Sequence, residues 1–211
     1  MKRMVFVLAA CALVPAAAMA DLAVSYGGLA VAGQGLKTLV DGAVVDTFTA
    51  PRPTWTWTNI LGSGAITSGS VSGVKAAPAG DTSEYFCLPG PSSGFTKATV
   101  DVDFGSAYNY LGLYWGSIDS YNSVTFYNGS LVVASFTGTQ ISPGATGDHF
   151  DDDSNKYVNF SGAMFDRVRF SSDSIAFEFD NLAVAVVPVP GAVLLGFLGL
   201  GVAGLKLRKY A

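Results

Sequence analysis

The chain has 211 residues, half of them hydrophobic, with only 13% charged and a formal net charge of −4. Residues 21 to 187 hold all sixteen acidic residues but only seven of the twelve basic ones, so this stretch carries −9. That charge argues against nucleic acid or anionic lipid as partners, and one cysteine in the stretch, Cys87, rules out an internal disulfide.

The first twenty residues read as an export signal. Lys2 and Arg3 precede an apolar stretch, and Ala18-Met19-Ala20 fits a signal-peptidase site with Asp21 as the first mature residue. A lipoprotein-type box at Leu8 to Cys11 has too short an apolar run before it. Next, residues 21–186 read as one all-β domain, because Gly, Ser, Thr, Val and aromatics dominate and no helical period emerges. Asp41-Gly42, between Leu39-Val40 and Ala43-Val44, predicts a hairpin. Trp55 and Trp57 lie two apart, hence on one strand face; Pro51 and Pro53 before them suit an edge strand. The pair could stack on sugar rings or pack in the core, and core packing is the commoner use.

Gly62 to Gly73 reads as a loop or bent strand. Cys87, in Tyr85-Phe86-Cys87-Leu88, reads as a buried, inert thiol, and Trp115 alternates with Leu111 and Leu113 as a core residue. Asn128-Gly129 predicts a type I′ hairpin that sets Phe126 opposite Leu131 and Val124 opposite Val133. The lone histidine, His149, lies in a polar loop beside several Asp, where a solvated side chain is the commoner case, so no catalytic residue is assigned. Beside it, Asp148, Asp151, Asp153 and Asn155 offer the oxygen ligands of a calcium loop, although Lys156 and Gly162 stand where an EF-hand has Gly and Glu. Finally, Val168 and Phe170 alternate with Arg167 and Arg169, and Ile175, Phe177 and Phe179 alternate with Glu178 and Asp180. A loop over Ser171 to Ser174 would pair Val168 with Phe177 and Arg167 with Glu178. Many short strands with Gly/Ser turns predict a two-sheet antiparallel sandwich, jelly-roll-like.

The last segment, 187–211, has three parts. Val187-Pro188-Val189-Pro190-Gly191 leads into an apolar run to Leu205, followed by Lys206, Leu207, Arg208 and Lys209. Such a run reads as a transmembrane helix with its basic end on the cytoplasmic side, which puts the body outside. This tail resembles the PEP-CTERM sorting signal. The resemblance implies recognition by an exosortase, a membrane-embedded cysteine protease of Gram-negative-type bacteria that make exopolysaccharide. In the body, Gly73 to Thr82, Leu113 to Asn122, Lys156 to Phe160 and Ala176 to Asn181 resemble one family of exosortase-dependent surface proteins. That likeness implies a secreted sandwich and brings no catalytic residues.

Together these readings predict an exported protein, transiently anchored in the inner membrane and then held at the cell surface or in the exopolysaccharide matrix. Its predicted role is structural or carbohydrate-binding. The alternatives are a polysaccharide hydrolase using Glu178 or Asp180, whose spacing on one strand face such an enzyme could use, or a plain membrane-anchored domain.

Overall fold

The computed structural model describes residues 21–188. Ala18 and Ala20 of the expected export signal, and Val189, Pro190, Gly191, Lys206, Arg208 and Lys209 of the expected sorting tail, lie outside the described residues. Among the described residues no helix is long and apolar enough to cross a membrane.

The described chain is all-β and its strand pairing is antiparallel. Two long strands organise it: β8 (Ala98–Gly116) and β11 (Lys156–Ser172) pair along most of their length. Both change course midway. Ala98, Val100, Val102 and Phe104 face the core at even positions of β8, but further on Leu111, Leu113 and Trp115 do so at odd ones. Register shifts between Ser161 and Arg167 make the matching irregularity in β11. At these bends Gly105 and Gly162 have φ of +72° and +134°, which side chains with a Cβ resist.

The other strands attach to one half of this pair or the other. The start of β8 pairs with β5 (Thr56–Leu61), and the end of β11 with β9 (Asn122–Asn128), which carries β10 (Leu131–Thr137). The start of β11 pairs with β1 (Ala23–Tyr26). The end of β8 pairs with β12 (Phe177–Ala185), followed by β7 (Glu84–Leu88) and β6 (Ala65–Ser68). β4 (Val44–Asp46) joins β12, and β2 (Leu29–Ala30) with β3 (Leu36–Lys37) forms a small separate ladder. The arrangement is consistent with the expected antiparallel all-β sandwich, with its layers continuous through the two long strands. One ten-stranded sheet is folded over through β8 and β11, with its apolar faces turned inward. A single turn of helix, α1 (Gly138–Ile141), follows β10 and is closed by a Thr137–Gln140 capping box.

The pairing predicted for the third hairpin is corrected. β11 and β12 are not neighbours. Phe170 stacks on Phe179 at 4.4 Å and meets Phe177 edge-on at 5.8 Å, so the strands confront each other across the core. Alternation assigns a face to each residue, and those faces are as predicted: Val168, Phe170, Phe177 and Phe179 are all buried. Alternation does not name the neighbouring strand. Arg167 and Arg169 instead bind Asp101 of β8 at 2.6 Å each, and Arg167 lies 3.9 Å from the centre of the Tyr127 ring.

The Asn128-Gly129 hairpin forms, but the two-residue loop is Gly129-Ser130, with Leu131 opposite Asn128. Only Gly129 has positive φ, the pattern of a II′ turn rather than I′. A bulge at Val133 then puts Ala134 opposite Phe126 and Phe136 opposite Val124. At Asp41-Gly42 the chain turns as expected, with Gly42 at φ +74°, but no hairpin results because β4 pairs with β12.

One charged contact anchors β4 inside the fold. Asp46 is fully buried and accepts hydrogen bonds from the Phe48 N–H and, in a fork, from the Arg52 guanidinium, whose Nη2 lies 2.7 Å away. Arg52 in turn lies over the Phe48 and Trp57 rings. Breaking a buried ion pair by removing one partner leaves an uncompensated charge, at a cost of about 3–5 kcal/mol. Arg52→Ala is expected to lower unfolding stability by that amount in a urea titration; a loss under about 1 kcal/mol would show that Asp46 does not depend on Arg52.

Candidate functional site

The outer face of β12 carries the chemistry. Phe177 and Phe179 point inward, so Glu178 and Asp180 must point outward. Loops cover that outer face. Glu178 is only 2% exposed and forms the floor of a cleft of about 410 Å³. Lys75 and Ala76 form one side of this cleft, and Ser117, Asp119, Tyr121 and His149 line the rest.

The floor is tightly held. Glu178 Oε1 accepts from the Ala76 N–H at 2.8 Å and Oε2 from the Ser117 hydroxyl at 2.7 Å. Burial pushes the Glu178 carboxyl up to about 7, against the lowering effect of those two donors, and the Asp119 charge raises it further. Among the described residues Glu178 forms no ion pair. The predicted Arg167 partner is absent because β11 is not a neighbour of β12 and Arg167 binds Asp101. Lys75 directs its amine to Thr67 Oγ1 and the Ser68 carbonyl.

The rim is more open. Asp119 is half-buried and accepts from the Tyr121 hydroxyl at 2.6 Å; burial raises its pKa and that hydrogen bond lowers it. Gly147, at φ +74°, packs against Asp119 so closely that a Cβ would collide with the carboxylate. Only glycine lets the loop carrying His149 close over this side. The half-exposed His149 ring lies 3.8 Å from the Phe150 ring.

The sequence-predicted residues are distributed as follows. Glu178 and His149 come together in the cleft, although the sequence singled them out for unrelated reasons. Asp180 points to the same outer face but lies under a different loop, next to Asp81, with Ser83 between their carboxylates. Trp55 and Trp57 do not form an exposed pair. Trp55 packs edge-on to Phe104 at 5.0 Å, and Trp57 packs on Phe86 at 4.6 Å. In the acidic loop, the Asn155 side chain serves as a pin. Its oxygen accepts from the Ala79 N–H, and its amide donates to the Asp148 and Asp151 carbonyls. Asp148 and Asp151 accept from nearby backbone N–H groups, and Asp153 pairs with Lys156 at 2.8 Å. Among the described residues, no three His, Cys, Asp or Glu side chains converge on a metal-sized point. Cys87 is fully buried, and burial raises its thiol pKa, so it is held as the unreactive thiol. Val187 is tied by two reciprocal backbone bonds to the Asn109 side chain. Asp119, Tyr121 and Ser117 were not identified from sequence; they lie about sixty residues from Glu178, and no local spacing joins them to it.

No protein-family model matches the chain, and no curated protein matches it. One solved structure, described as CpGH89CBM32-6 produced by Clostridium perfringens, is similar over 59% of this chain and 93% of its own, with 14% identity and a TM-score of 0.31.

The Glu178 carboxyl sets a pH signature. Its folded-state value of about 7 lies above its ordinary 4.5, so between these two values the native state holds a proton that the unfolded chain has released. Its contribution is therefore fully present below about pH 4.5 and is lost as pH rises to about 7. Glu178→Gln cannot titrate. The stability of wild type minus that of Glu178→Gln, from thermal unfolding, is expected to fall across this window and level off above it; a difference that rises or stays flat would refute the burial argument.

Proposed function

We propose that this chain is an exported surface protein whose jelly-roll-like sandwich binds carbohydrate in the Glu178 cleft and has no catalytic role. The observation that carries the proposal is the chemistry of the cleft rim. Asp119 and the backbone offer acceptors for sugar hydroxyls, His149 offers a donor, and Tyr121 and His149 add aromatic surface. Glu178 shapes the floor beneath them: both its oxygens are already satisfied within the protein.

The test is a glycan array probed with the full chain, followed by titration of the best ligand. A lost hydrogen bond to a charged group is worth about 1.5–3 kcal/mol, so Asp119→Ala should weaken binding about tenfold or more, and His149→Ala, which removes a donor and ring surface, should weaken it as well. Binding that both variants retain in full would place the glycan outside the cleft; no binding to any glycan would leave the structural role in the matrix.

The second reading, a polysaccharide hydrolase, is favoured by one observation. A carboxyl with a pKa near 7 beside a second carboxyl, with no paired Arg, is the environment of a general acid. Polysaccharide cleavage lost in Glu178→Gln while glycan binding persists would establish that reading in place of the first.

Sorting is the other half of the proposal. The tail from Val187 resembles an exosortase signal, and the surface-held form is then the one cut near Pro190. Intact-mass analysis of surface-extracted protein should show a species lacking the helix after about Pro190. A mature form that retains Lys206 to Lys209 would favour the plain anchor.

A further inference from the structure

A second cluster on the outer face of β12 leaves three buried oxygens without a hydrogen-bond partner. The core-facing residues of this strand are Phe177, Phe179, Leu182 and Val184. The step from Phe179 to Leu182 is three residues instead of two, and the pairing with β8 shifts register there. Asn181 takes up the extra residue at φ +52°. A bulge of this kind turns two successive side chains, Asp180 and Asn181, to the same outer side. Above them passes the segment through Asp81, which bridges to Gly33 and Gln34.

These three side chains are 6% exposed or less. Ser83 Oγ lies 2.5 Å from Asp81 Oδ1 and 3.3 Å from Asp180 Oδ2, so one hydroxyl, with one proton to give, spans two carboxylates. Their other oxygens, Asp81 Oδ2 and Asp180 Oδ1, have no hydrogen-bond partner among the described residues, and neither has Asn181 Oδ1. The Asn181 amide is oriented by its donations to the Gln34 and Leu36 carbonyls at 2.7 and 3.1 Å, which turns Oδ1 away from those groups. Neither aspartate forms an ion pair among the described residues. Of the three, Asn181 lines a neighbouring cavity of about 210 Å³, together with Gln34, Lys37, Thr47, Thr49 and Ser83. Its one basic residue, Lys37, donates to Gln34 Oε1.

Ser83 N–H also donates to Asp81 Oδ1 at 2.8 Å, but a buried carboxylate oxygen left without a partner is costly, and the donor set here is oxygen only. We propose that Asp81, Asp180 and Asn181 form a calcium site that fastens the segment from Gly33 to Leu36 to the folded sheet. Calcium accepts carboxylate and amide oxygens in flexible geometry, with carbonyls or water completing the shell. This site is distinct from both the glycan cleft and the acidic loop at Asp148 to Asn155.

The test compares thermal unfolding of the full chain in EDTA, in 10 mM CaCl₂ and in 10 mM MgCl₂, with calcium titration calorimetry alongside. With a dissociation constant of about 10⁻⁴ M, typical of extracellular modules, calcium should raise the midpoint by about 5 °C or more. Asp180→Asn and, separately, Asp81→Asn should abolish that shift, while Asp151→Asn/Asp153→Asn should keep it. Having two single variants guards against one failing to fold. Equal wild-type midpoints in EDTA and CaCl₂ without a heat of binding overturn the site, as does a shift that survives in Asp180→Asn or Asp81→Asn, or one lost in the acidic-loop variant. An equal shift in MgCl₂ overturns its assignment to calcium.

Discussion

Everything in this fold hangs on the pairing of β8 with β11. Seventeen to nineteen residues in each strand make them too long for one flat layer of a small domain. A twisted sheet of that length must curl, and here the curl is concentrated where bulges and Gly105 and Gly162 break the alternation. Once both strands bend together, the strands attached to their two halves face each other. The aromatic core follows, with Phe170 stacked on Phe179 at 4.4 Å and Phe126 against Phe160 at 4.9 Å.

The consequences are sharpest in β12. Its inner face is pure packing, with Phe177, Phe179, Leu182 and Val184 all fully buried. Its outer face would ordinarily meet water and carry polar residues, as Glu178 and Asp180 suggest. Loops from several parts of the chain cover it instead. Carboxylates chosen for a solvated face are thereby desolvated, which is why burial leads the causes of the rise at Glu178 and Asp180, the latter pushed up to about 9. The protein handles the two differently. Glu178 receives two hydrogen-bond donors, whereas Asp180 is left beside a second aspartate.

Much of this was legible in the residues. The all-β class followed from composition and turns, the core roles of Trp115, Val168, Phe170, Phe177 and Phe179 from alternation, and the buried state of Cys87 from its apolar run. The turns at Asp41-Gly42 and near Asn128-Gly129 were visible because glycine at positive φ is a local requirement. The errors share one origin. Register at β10 depended on a bulge at Val133, and the partner of Arg167 depended on which layer β12 joined. Neither is a local property.

The sequence by itself determined which side of each strand is apolar, where the chain can turn and that the surface is acidic, since these depend on side-chain chemistry and period alone. Only the tertiary structure decided which strands are neighbours, that Arg167 and Arg169 serve Asp101, that Glu178 meets His149 across one cleft, and that Asp81 lies over Asp180. Those contacts join residues thirty to a hundred positions apart. They are fixed by how two bent strands fold a sheet over on itself, and no spacing within a single strand encodes that geometry.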